Sequence, residues 1–170
     1  MSDVHPLLRI ARDALAAHLG GEGYQIPELP PPFRISRGAF VTLTAEGRLR
    51  GCIGHLSPTQ DTLAAEIALL AVLAGTRDSR FPPVTLPELA RVKLEVSLLS
   101  VPEPANLDLL DARRYGVIVT SGKRRGVLLP DLEGVDTPRE QIRICRSKAG
   151  IGPEEPVELE RFEVEKLAEP

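Results

Sequence analysis

Apolar residues at helical spacing open the chain. Leu7, Leu8, Ala11, Leu15 and Leu19 recur between Val4 and Leu19, and Gly20-Gly21 ends the run. Tyr24 to Pro32 carries four prolines and no periodicity, so it reads as an extended surface connection. Ala39 to Ala45 reads as a strand. The turn Glu46-Gly47 joins it to a second arm, Arg48 to Ile53, as a hairpin. Ser57, Pro58 and Gln60 carry the marks of a helix start, with cap, first-turn proline and capping box. They predict a helix over Pro58 to Ala74, closed by Gly75. That helix is apolar nearly all round, which predicts burial on most sides. Its interior Glu66 is expected at the least covered edge, because a lone glutamate is rarely buried.

Beyond the loop Arg77 to Pro83, Thr85 and Glu88 predict a short capped helix, and Val92 to Leu98 alternates as a half-buried strand. Val101 to Pro104 is a proline break, and Asn106 to Arg114 holds at most a helical turn. Gly116 to Thr120 and Gly126 to Leu129 flank Ser121-Gly122-Lys123 as a second hairpin with a basic tip. Thr137 caps a helix from Pro138 to Ala149 that ends at Gly150. Leu159, Phe162 and Val164, set among charges, read as a last strand at a sheet edge. Hairpins and helices in this mixed order predict an α+β fold and not a doubly wound parallel sheet.

The 170 residues suit one domain, with room for a smaller subdomain. Apolar and charged fractions of 42% and 26% are those of an ordinary globular chain. A net charge of −3 argues against nucleic-acid binding. Basic residues nonetheless gather at Arg113, Arg114 and Lys123 to Arg125, then at Arg139, Arg143, Arg146 and Lys148, before an acidic tail. They read as solvated faces and hairpin tips, or as a partner-docking surface. Cys52 and Cys145 form no disulfide framework, and no signal segment or membrane span is evident. The expectation is a reducing, cytoplasmic setting.

The candidate chemistry centres on Arg48 to Leu56, where Cys52 lies between Gly51 and Gly54 with Arg50 before it and His55 after. A thiolate nucleophile needs a base or a positive field, and His55, Arg50 and the predicted helix start are close in sequence. In a straight strand, however, positions 52 and 55 face opposite sides. A small buried hydrophobe is the competing reading of Cys52. Asp78 and Arg80 form either an anion-binding loop or a network that fixes the loop. A 17-residue helix of roughly 25 Å would separate that loop from Cys52 unless the chain folds back. Cys145 with Arg146 and Lys148 suits a helix C-terminus. Three scattered histidines offer no metal site, and no cofactor-binding motif is present.

Leu49-Arg50-Gly51-Cys52-Ile53-Gly54 resembles the signature hexapeptide of the AMMECR domain family. Gly38 to Leu43, Asp78 to Pro83, Glu95 to Leu99, Tyr115 to Val119, Gly126 to Pro130 and Cys145 to Ile151 resemble its other blocks, in order. Within the family the chain is similar to the prokaryotic AmmeMemoRadiSam system protein A type. That resemblance implies two unequal α+β parts with the hexapeptide lining a cleft between them, and association with Memo-type and radical SAM proteins. It brings no reaction with it. The chain departs from relatives in having no tryptophan and a short, acidic Asp131 to Pro138 segment. The expected function is an accessory enzyme or substrate-handling component. In it Cys52 is the nucleophile or covalent carrier, His55 its proton partner and Arg50 an anion or carbonyl-polarising group. Gly51, Gly54, Asp78 and Arg80 complete the motif positions. A non-catalytic interaction module is the alternative, and a nucleic-acid-linked binder comes third.

Overall fold

The computed structural model describes residues 4–31 and 33–170, so Pro32, the last residue of the proline-rich connection, lies outside it. The chain divides into two compact units, one ending at Leu98 and completed by Glu165–Pro170, the other Leu99–Val164.

The first unit begins with α1 (Pro6–Leu19), whose N-cap His5 accepts the Leu7 amide on Nδ1 at 3.2 Å. Then come β1 (Ala39–Ala45), β2 (Arg48–His55), α2 (Leu63–Thr76), α3 (Leu86–Leu89) and β3 (Val92–Leu99). The late strand β8 (Val164–Ala168) completes a sheet ordered β2-β1-β3-β8. Alternation along β1 turns Ala39, Val41 and Leu43 to one face, where α2 packs and α1 lies against α2. Leu7, Leu15, Leu63, Ile67, Leu70, Leu94 and Val96 close this core. α3 carries the predicted capping box of Thr85 and Glu88.

The second unit holds β4 (Glu103–Ala105), a helical turn at Leu107–Leu109, β5 (Gly116–Ser121), β6 (Arg124–Leu128), α4 (Pro138–Ala149) and β7 (Glu158–Phe162). Its sheet runs β4-β7-β5-β6, and α4 packs on β5 and β6. Contact is close because Gly126 has no Cβ, which would stand 2.2 Å from the Cys145 carbonyl oxygen. Both units are α+β, as the alternation of hairpins and helices predicts.

Three expectations need correction. The chain after Ile53 does not enter a helix at Pro58. β2 runs on to His55, and α2 starts only at Leu63, with Thr62 as the cap that accepts the Ala65 amide at 3.2 Å. Gly75 does not end that helix. It lies within it, packed against Leu15, and the C-cap is Arg77. The charged segment at the end is two strands, not one edge strand. β7 sits inside the second sheet, and only β8 is at an edge of the first. Charges are tolerated inside that sheet because they pair across it, Arg161 Nε meeting Glu103 Oε1 at 2.7 Å on β4.

Candidate functional site

β2 is one of the two edge strands of the first sheet, and its pairing with β1 is interrupted once. Ala45 pairs with Arg48 and Thr44 with Leu49, but Leu43 pairs with Gly51, so Arg50 is the extra residue of a bulge. That one-residue shift decides the face of everything after it. Ile53 and His55 pair with Val41 and Ala39 and turn to the helix side, whereas Cys52 and Gly54 pair with Thr42 and Phe40 on the other. The flanking glycines serve opposite faces. A Cβ on Gly51 would stand 2.2 Å from the Ala74 carbonyl oxygen of α2, and one on Gly54 would strike the Phe40 ring at 2.1 Å.

Cys52 is half-buried, with Sγ 3.3 Å from Thr42 Oγ1. Its N–H points off the sheet edge, away from β1, and donates to Asp78 Oδ2 at 2.9 Å. Cys52 and Thr42 are therefore a non-hydrogen-bonded pair, the geometry that brings opposed side chains closest. The same carboxylate binds Arg80, taking its backbone N–H and Nε on Oδ1 at 3.1 and 3.0 Å and Nη2 on Oδ2 at 2.7 Å. Arg80 and the Cys52 amide, helped by the Arg80 amide and charge, outweigh burial and hold the Asp78 carboxyl well below the usual range. In return Asp78 raises the Arg80 pKa, chiefly through their hydrogen bonds. Burial opposes the shift, and the negative charge of Asp78 adds to it. One carboxylate thus holds both the Arg80 guanidinium and the Cys52 amide.

The Asp78 loop and Cys52 do share a site, against the helix-length estimate. α2 runs back along β2. From Glu66 to Ala74 the helix climbs about 12 Å, and from His55 to Gly51 the strand spans about 13 Å. The two advances match, so the end of α2 returns to the thiol. The network reading of Asp78–Arg80 holds, and Asp78 has the further task of binding Cys52.

Two expected roles change. Arg50 is not a free anion group, since Nε and Nη2 donate to Glu88 Oε1 and Oε2 at 2.6 and 3.1 Å. Both Arg50 and Arg80 lie over the Phe81 ring, 6.0 and 5.5 Å from its centroid. His55 is not the proton partner of Cys52. It lies on the opposite face of β2, and its Nδ1 is 2.6 Å from Glu66 Oε1. Glu66 is wholly buried, contrary to the edge position expected of it. Its Oε2 accepts the Thr59 and Gln60 amides, each at 2.8 Å, and Thr59 Oγ1 at 3.1 Å. Burial would raise its pKa, but the hydrogen bonds from His55, Thr59 and Gln60 outweigh it and the net shift is downward. The polar run 57–60 that resembles a helix cap is thus a loop folded around a carboxylate.

Elsewhere, Cys145 and the arginines of the second hairpin are accounted for by packing and pairing. Cys145 is buried, and burial pushes its thiol up to about 11 against a smaller opposing effect of Lys148. Arg124 pairs with Glu155, and Arg125 lies 3.7 Å from Glu160. Among the described residues no group of three or more His, Cys, Asp or Glu is placed to hold a metal, and no helix is long and apolar enough to cross a membrane. In the sequence Thr42 carries no role, Glu66 is expected at an uncovered edge and Glu88 serves only as a capping residue. Only Glu88 carried a usable signal, the capping box that fixes its side chain near the loop.

Residues 8–167 match the family model described as AMMECR1. A protein of Thermotoga maritima is 53% identical over 138 residues, 79% of each chain. Protein CA_C1420 of Clostridium acetobutylicum is 42% identical over 94% of this chain, which spans only 35% of that longer protein. The crystal structure of uncharacterized protein PH0010 from Pyrococcus horikoshii superposes with a TM-score of 0.82 at 31% identity. The match covers 94% of this chain and 88% of that one.

Proposed function

The chain belongs to the AMMECR1 family, and we propose that it works there as a substrate-handling protein with Cys52 as covalent carrier. The observation that carries this reading is the convergence of two separate motifs on one half-buried thiol. Asp78 binds the Cys52 amide and Arg80 together, and Thr42 Oγ1 lies at hydrogen-bond distance from the sulfur. Asp78 thereby sets the Arg80 guanidinium in the loop that binds the Cys52 amide, and a thiolate is the nucleophile such a step uses. In the step envisaged, Sγ attacks an electrophilic carbon. The S–C bond forms as the bond to the leaving group breaks, and the thiol proton departs with that group. Thr42 is positioned to relay that proton or to orient the sulfur. His55 takes no part at the sulfur. Memo-type and radical SAM proteins are the proposed suppliers or receivers of the carried group.

The test is the rate of alkylation by iodoacetamide against pH, on a Cys145→Ala background. Cys52 should react in the folded protein, and Arg80→Gln should slow it about 3- to 10-fold by removing one partly screened charge. His55→Asn should leave the rate unchanged. A thiol silent until the protein unfolds, or indifferent to Arg80→Gln, overturns the proposal.

A further inference from the structure

The second unit carries a groove of about 260 Å³ lined by Leu107, Arg139, Ile142, Arg143, Arg146 and Pro153. The four α4 residues follow an i, i+3, i+4, i+7 spacing, so they share one face of the helix, opposite the buried Gln141 and Cys145. Three arginines and three apolar residues therefore line one groove.

These arginines differ from others in the same unit. Arg114, Arg124, Arg125 and Arg161 each face a carboxylate, Glu163, Glu155, Glu160 and Glu103 respectively. Arg139 has no hydrogen bond or ion pair among the described residues. Arg143 comes only within 3.9 Å of Glu140, beyond hydrogen-bond distance. Arg146 is pinned from behind, its Nη1 donating to the Gly152 and Glu155 carbonyls at 2.6 and 2.9 Å. Its Nε and Nη2 have no partner among the described residues. Helix stability does not account for Arg139 either. It occupies the second position of α4, where the positive end of the helix dipole disfavours a cation. Such a residue is favourable when an anion is seated beside it.

We propose that this groove binds a small organic anion, a phosphate or carboxylate on an apolar body. Arg139, Arg143 and the open edge of Arg146 take the anionic oxygens, as forked guanidinium donors do. Ile142, Leu107 and Pro153 carry the body. The site lies in a different unit from Cys52, so it stands or falls independently of the thiol reading.

The experiment is an NMR titration of the full chain with phenyl phosphate, benzoate and inorganic phosphate, following the amides of residues 139–153. At least one aryl anion should bind saturably and more tightly than inorganic phosphate, and the better aryl probe identifies the headgroup. Arg139→Gln, which removes no contact within the protein, should weaken binding about tenfold. Arg125→Gln should not change it. The proposal is overturned if neither aryl anion saturates by about 10 mM, or if Arg139→Gln binds as wild type does. It is also overturned if single-stranded RNA occupies the groove more tightly, with the steep salt dependence of a backbone reader.

Discussion

The buried carboxylate of Glu66 supports a sharp prediction. Replacing it with alanine removes the acceptor of two backbone amides, the Thr59 hydroxyl and His55 Nδ1. Thr59 and Gln60 are exposed, so water can recover part of their hydrogen bonding. Two charge-assisted amide bonds at about 1.5 kcal/mol each, plus a small cavity, give a loss of about 3–4 kcal/mol. Glu66→Gln keeps one carbonyl oxygen for the loop and loses the charge, so its cost is about 1–2 kcal/mol. Urea unfolding at pH 7 measures both. The pH dependence has a definite sign. The folded pKa lies below the free value of 4.5, so the carboxylate's contribution is complete above pH 4.5 and drains away as the pH falls through the lower folded value. Glutamine does not titrate. The stability gap between wild type and Glu66→Gln should therefore narrow as the pH falls below 4.5. An alanine variant that costs less than about 1 kcal/mol, or a gap that widens on acidification, refutes the account.

The motif glycines and the second cysteine give two more. Gly51→Ala should destabilise by about 2–4 kcal/mol in the same assay, because its Cβ meets backbone, the Ala74 carbonyl oxygen at 2.2 Å. Gly54→Ala should cost less, since it strikes a half-buried side chain, Phe40, that can swing to another χ1 rotamer, and not backbone; equal costs would count against this account of the two close approaches. Cys145, with a thiol pushed up to about 11, should resist iodoacetamide at pH 8 until the protein unfolds, while Cys52 reacts.

Most elements were legible because each had local punctuation. β1 and α4 fall on their predicted bounds, the first from alternation and the second from Thr137 and Gly150, whose φ of 67° is the left-handed cap. The site was less legible, for two physical reasons. A capping box and a loop wrapped around a carboxylate draw on the same short polar residues, so Ser57, Pro58 and Gln60 pointed to the wrong helix start. The bulge at Arg50 left no mark of its own. With the register continued from Arg48 and Leu49, Cys52 would oppose Val41 and lie in the core, and Ile53 would be turned outward. Whether the thiol is core or accessible therefore depends on one inserted residue, and composition could not decide between those readings.

The bulge also explains why the two motifs need each other. An edge strand leaves alternate N–H groups without a sheet partner. Past the shift, Cys52 is such a residue, and Asp78 satisfies it with a carboxylate already held by Arg80. The same shift turns His55 to the helix side, where Glu66 binds it and ties the loop 56–62 to α2. That tie sets where α2 begins, and the matched lengths of strand and helix then bring Asp78 back to Cys52. Thiol, cation and hydroxyl are thus assembled by backbone geometry at one edge of the sheet. The histidine next to the motif faces Glu66 on the helix side of the strand and ties the helix in place.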